Sequence, residues 1–125
     1  MLRAGRFDEA DIERIAEELE DMDKRDRREL LSRARVLLAH LLKWRFQPDR
    51  RSLSWEETID TQGTDIADLL RDMPSLRAAL AASLPAVYAD AVRPAARETR
   101  LARTAFPDAC PFTLAEILDP EFLPE

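Results

Sequence analysis

The sequence predicts an all-α protein, a bundle of about four main helices closed by a short C-terminal one, and three observations carry that prediction. Apolar residues recur at intervals of three and four through most of the chain, the period of a helix that buries one face. Only 2 of the 125 residues are Gly, so long stretches run without the residue that weakens a helix interior. No stretch alternates apolar and polar residues singly as a half-buried strand does. The balance of 46% hydrophobic and 35% charged residues is that of a globular chain. At this length a single domain spanning residues 1–125 is expected, without disulfides or metals to hold it.

The first helix is predicted over residues 8–22, where Ile12, Ile15, Ala16, Leu19 and Met22 share a face and Asp8 is placed to cap it. Residues 8–23 hold nine acids against one base, whereas residues 24–51 hold ten bases against three acids. Acids at the end of a helix oppose its dipole. The expectation is therefore an antiparallel hairpin turning near Asp23, with the basic second helix (24–46) lying against the acidic first. In that second helix Leu30, Ala34, Leu37, Leu41 and Trp44 form one stripe, and Leu31, Leu38 and Leu42 form another beside it. So wide an apolar face implies several neighbours and places Trp44 in the core; Pro48 stops the helix.

The third helix is predicted over 54–73, with Ser54 as N-cap and Glu57 completing a capping box. Its face runs through Trp55, Ile59, Gln62, Ile66, Leu69 and Met73, and Gly63 marks a weak point or a close approach. The fourth, over 75–102, carries the stripe Leu76, Leu80, Leu84, Val87, Tyr88, Ala91 and Ala95, and should kink or split at Pro85 and Pro94. Residues 106–125 are rich in proline, yet Phe106, Phe112, Ile117 and Phe122 make them a tail that docks on the bundle. Thr113 and Glu116 have capping-box spacing and predict a short helix near 113–119.

Three segments, "EELEDM", "LLAHLLKWRFQPDRRSLSW" and "CPFTLAEILDPEFLP", together resemble the bacterial family catalogued as domain of unknown function 29. The residues that match its pattern are Glu17, Glu18, His40, Lys43, Trp44, Gln47, Pro48, Ser54, Trp55, Pro111, Phe112, Asp119 and Pro120. The resemblance implies a helical fold and brings no established activity with it. It also implies a further amphipathic helix at the start, of which only residues 1–7 correspond here. One side of the bundle would then lack its cover, and the leucine stripe should self-associate or recruit a partner helix unless the tail fills it.

The chemistry-bearing residues are sparse. His40 and Lys43 lie three apart on one helix face, near Trp44, and acids such as Glu17 or Glu18 could face them. With Arg51 and Trp55 these residues make the candidate surface for a ligand or partner. A metal centre is not expected, because one His and one Cys cannot supply an ordinary zinc site and the Glu-x-x-His pairs of carboxylate bundles are absent. Cys110 reads as a small apolar residue rather than a nucleophile. No cofactor is expected, since no phosphate loop or nucleophile elbow occurs.

The favoured expectation is a non-enzymatic protein-interaction or regulatory module with a protein partner or a second copy. The alternative is a small-ligand or catalytic pocket around His40, Lys43 and Trp44. A lesser alternative is RNA or DNA binding by the basic helix, which the net charge of −6 opposes. Apolar runs fall far short of a membrane span, and the start lacks a signal-peptide pattern, so a cytoplasmic location is expected.

Overall fold

Between residues 9 and 46 the chain contains no Gly, Pro or Asn, and all of it forms a single helix, α1 (Glu9–Phe46). The computed structural model describes the backbone from Glu9 and the side chains from Lys24 to Glu125. The expected hairpin of helices 8–22 and 24–46 is thus overturned: the acidic and basic runs follow one another along one rod of 38 residues, about 57 Å long. Residues 23–29 are seven consecutive charged residues without Gly, Pro or Asn, five of them the good helix formers Lys, Arg and Glu. Acid-before-base pairs four apart, such as Glu20 with Lys24 and Asp21 with Arg25, span the junction in sequence and favour the helix over a turn. One turn on, the same spacing is realised as an ion pair between Glu29 and Arg33 at 3.1 Å.

Pro48 ends α1 as expected, in a 3-10 turn over Pro48–Arg50. The next helix, α2 (Leu53–Asp72), is capped by Ser52 rather than Ser54: the Trp55 amide donates to Ser52 Oγ at 3.2 Å. Ser52 holds the extended backbone that a cap requires, whereas Ser54 is already inside the helix, its carbonyl accepting from the Thr58 hydroxyl. The predicted face is the buried one, with Ile59 and Ile66 in the core and Trp55, Leu69 and Met73 at its edge. A methyl group at Gly63 would meet nothing within 4 Å, so no close approach requires that glycine.

Helix α3 (Leu76–Thr99) passes unbroken through Pro85 and Pro94 and ends three residues before the predicted limit. Arg100, with φ of 62°, terminates it in the left-handed conformation. The tail then crosses the bundle through a 3-10 turn (Arg103–Ala105) and the short helix α4 (Leu114–Ile117). The Thr113–Glu116 capping box forms as predicted. Phe106 meets Phe46 edge to face at 5.3 Å, Phe112 meets Phe122 likewise at 5.8 Å, and the Tyr88 hydroxyl donates to the Pro107 carbonyl.

Helix α1 is the spine, packing against both α3 and α2, which also touch each other. Leu30, Leu37, Leu38, Leu41 and Leu42 are each at most 2% exposed, so the leucine stripe is covered within one chain. Phe106, Phe112 and Ile117 of the tail join the same buried cluster as the residues of α2 and α3, so the tail contributes to the cover that the sequence left open between it and a partner. Trp44 is a correction: it sits half-buried at the core edge, not inside it. Among the described residues, no helix is long and apolar enough to cross a membrane.

Candidate functional site

The last turns of α1 place His40 and Lys43 on its α3-facing side, and there they meet residues far away in sequence. Lys43 is 4% exposed, the one buried formal charge among the described residues. A lysine ammonium has three donors and no acceptor, so burial requires three partners. Nζ lies 2.5 Å from Glu98 Oε2 on α3 and 3.3 Å from His40 Nε2, and the Trp55 ring of α2 is centred 5.2 Å away. Two hydrogen bonds, to a carboxylate of α3 and an imidazole of α1, and an aromatic face from α2 surround the ammonium.

The hydrogen bonds assign the state of His40. The Val36 carbonyl, 2.9 Å from Nδ1, can only accept, so Nδ1 carries the proton and Nε2 offers its lone pair to Lys43. Burial holds the imidazole below its ordinary pKa; the Val36 hydrogen bond opposes that, the Lys43 charge adds to it, and Glu98 opposes it again. A neutral imidazole suits its task here, which is to accept from an ammonium.

Beside this knot, Arg51 closes the end of α1. Its Nε donates to the Trp44 carbonyl at 2.8 Å, one of the carbonyls a helix end leaves unpaired, and its guanidinium stacks 5.0 Å from the Trp44 ring. A longer contact of 3.5 Å reaches the Pro124 carbonyl and ties down the tail. Gln47 Nε2 donates to the Thr99 carbonyl at 3.1 Å.

Of the sequence-predicted surface, His40, Lys43 and Trp55 converge on one point, while Trp44 and Arg51 pair with each other beside it. The side chains of Glu17 and Glu18 lie outside the described residues. Their anticipated place opposite Lys43 is taken by Glu98, which the sequence reading missed. The signal was present, since Glu98 continues the line of Ala91 and Ala95 at spacings of four and three. His40 alone of the predicted set lines an open groove of about 490 Å³ between α1 and α3, together with Arg35, Asp90, Arg93 and Glu98.

A second groove, of about 360 Å³, lies between the start of α2 and the tail. Leu53, Phe122 and Leu123 give it apolar walls, and the carboxylates of Glu56, Glu57, Asp60 and Glu121 surround them. Leu53 and Leu123, 69% and 37% exposed, are the two large apolar residues that stand exposed among the described ones. Neither residue belongs to the candidate surface read from the sequence: Leu53 falls at the first position of α2, where periodicity says least, and Leu123 counts there among the apolar tail residues expected to dock. Elsewhere, burial pushes the Cys110 thiol up, against the opposing hydrogen bond to the Phe112 carbonyl. Among the described residues no three His, Cys, Asp or Glu side chains are grouped as metal ligands.

Comparison with curated proteins and with solved structures returns no significant match. The family profile described as "Domain of unknown function DUF29" matches residues 1–123, nearly the whole chain, and the protein belongs to that family.

Proposed function

We propose that this chain is a non-enzymatic protein-interaction module. The observation that carries the reading is a contrast in the surface: the candidate chemical residues are consumed by one another, while the exposed large apolar residues gather in one groove. Lys43 is held by Glu98, His40 and the Trp55 ring, His40 spends both ring nitrogens on Val36 and Lys43, and Trp44 and Trp55 each give a face to a cation of the same chain. The last point also weighs against RNA stacking, as does Arg33, which is held by Glu29 and Asp65. A cytoplasmic setting accords with a lone thiol that burial keeps protonated.

One observation favours a second reading, a small polar ligand in the α1–α3 groove, where Arg35, Arg93 and the rim of His40 converge. Two measurements separate the two. A photo-crosslinking residue at position 53 should give a discrete protein adduct in cells, and one at exposed Ala78 should not. A thermal-shift screen of small polar molecules should give no stabilisation that His40→Gln removes. Such a His40-dependent ligand, with no adduct from position 53, would overturn the interaction reading.

A further inference from the structure

Resting on the interaction-module reading, we propose that the groove between the start of α2 and the C-terminal tail docks a basic amphipathic segment of a protein partner. Leu53 and Leu123 line this groove and are exposed, and half-buried Phe122 lines it with them. Two exposed leucines lining one groove, unlike leucines scattered singly, offer a small apolar spot that a partner can cover. The rim decides what covers it. Glu56, Glu57 and Asp60 lie within about one turn of α2, with Glu56 and Asp60 four apart, and Glu121 joins them from the tail.

Among the described residues none of these four carboxylates has an ion-pair partner. Four mutually repelling carboxylates around an apolar slot raise a negative potential that a cationic partner relieves. Anionic lipid and nucleic acid are repelled by the same rim, and the carboxylates are not grouped as metal ligands. The chemistry that fits is a segment placing an aliphatic side chain between Leu53 and Leu123, with Lys or Arg one turn to either side. The volume of about 360 Å³ suits the side chains of one such turn.

The test uses the full chain, labelled with nitrogen-15, and a synthetic amphipathic helix with leucines on one face flanked by lysines. Saturable amide shifts are expected at residues 53–60 and 121–123, weakening as salt rises. The glutamate-for-lysine version of the peptide should not bind. Affinity should fall about tenfold in the Leu53→Ser/Leu123→Ser variant, and comparably in Glu56→Lys/Asp60→Lys. Circular dichroism of both variants should match the parent, since these positions are exposed.

Shifts scattered over acidic surface and indifferent to Leu53→Ser would overturn the proposal, reducing the binding to bulk charge. Shifts in the α1–α3 groove would overturn it too. So would a concentration-dependent dimer of the free chain that Leu53→Ser abolishes, which would assign the groove to a second copy. In each case a discrete protein adduct formed in cells from position 53 leaves the interaction reading standing, whereas no adduct from position 53 together with a His40-dependent ligand removes both.

Discussion

Lys43 and Leu53 lie ten residues apart and have exchanged the places that a lysine and a leucine usually take, the lysine 4% exposed and the leucine 69%. At Lys43 the charge is buried, and the structure supplies every partner it needs from within the chain. At Leu53 the apolar side chain is in water, and the structure supplies nothing to cover it. Burying a cation is costly unless it is paired, and exposing one leucine forfeits about 2 kcal/mol of burial. The first inversion is compensated within the chain and the second is not. A compensated inversion reads as architecture, and an uncompensated one reads as a surface awaiting a partner.

The largest expected effect tests the closed end of that comparison. Lys43→Ala should lower stability by about 2–3 kcal/mol, because it removes a charge-assisted hydrogen bond, strands the His40 lone pair and empties the space under Trp55. Lys43→Met, which keeps the aliphatic stem, should stay within about 1 kcal/mol of the parent, since Glu98 is half exposed and can be solvated. Urea unfolding measures both. If alanine and methionine are equally harmless, the knot holds nothing together and Lys43 regains its candidacy as a binding residue.

A middle-sized effect concerns what was legible in the sequence. Helix periodicity marked α2 and α3 to within a few residues, and the Thr113–Glu116 box was readable because both halves of the motif lie within four residues. Ser52 and Ser54 both had cap chemistry, and only the backbone conformation chooses between them. Ser52→Ala should therefore cost about 1 kcal/mol and Ser54→Ala markedly less; the reverse order would restore the cap predicted at Ser54.

The hairpin failed for a different reason. A change of charge sign at Lys24 suggests a turn, but a charged run without a breaker more simply continues a helix. At the site, His40 with Lys43 was legible from their spacing, but Glu98, 55 residues beyond Lys43, becomes its partner only through the packing of α3 on α1.

A smaller effect sharpens the closed end through pH. The folded chain holds His40 below its ordinary pKa, chiefly by burial, so protons bind the unfolded chain more readily near pH 6. The contribution is fully present above the unfolded value of about 6.5 and is lost as pH falls through the lower folded value. Stability measured from pH 7.5 downward should thus begin to decline before the carboxylates titrate, and His40→Gln should flatten that early decline. A parent protein equally stable at pH 5.5 and 7.5 would mean that the imidazole accommodates its proton, and that the accepting role toward Lys43 is dispensable.

The smallest expected change in stability tests the open end, and its smallness is the point. Leu53 stands at the first position of α2 with most of its surface in water, so Leu53→Ser removes little buried area. Unfolding free energy should move by no more than about 0.5 kcal/mol, the usual range for surface positions. Binding of a hydrophobic dye to the native protein should fall, because one of the two exposed leucines lining the groove is gone. A loss of 2 kcal/mol or more would show that Leu53 is already covered in solution, by the tail closing over it or by another molecule. Repeating the measurement at ten times lower protein concentration separates those two, since an intramolecular cover is indifferent to dilution and an intermolecular one is not. An unchanged stability with reduced dye binding leaves Leu53 as an exposed side chain whose role lies outside the folding of its own chain.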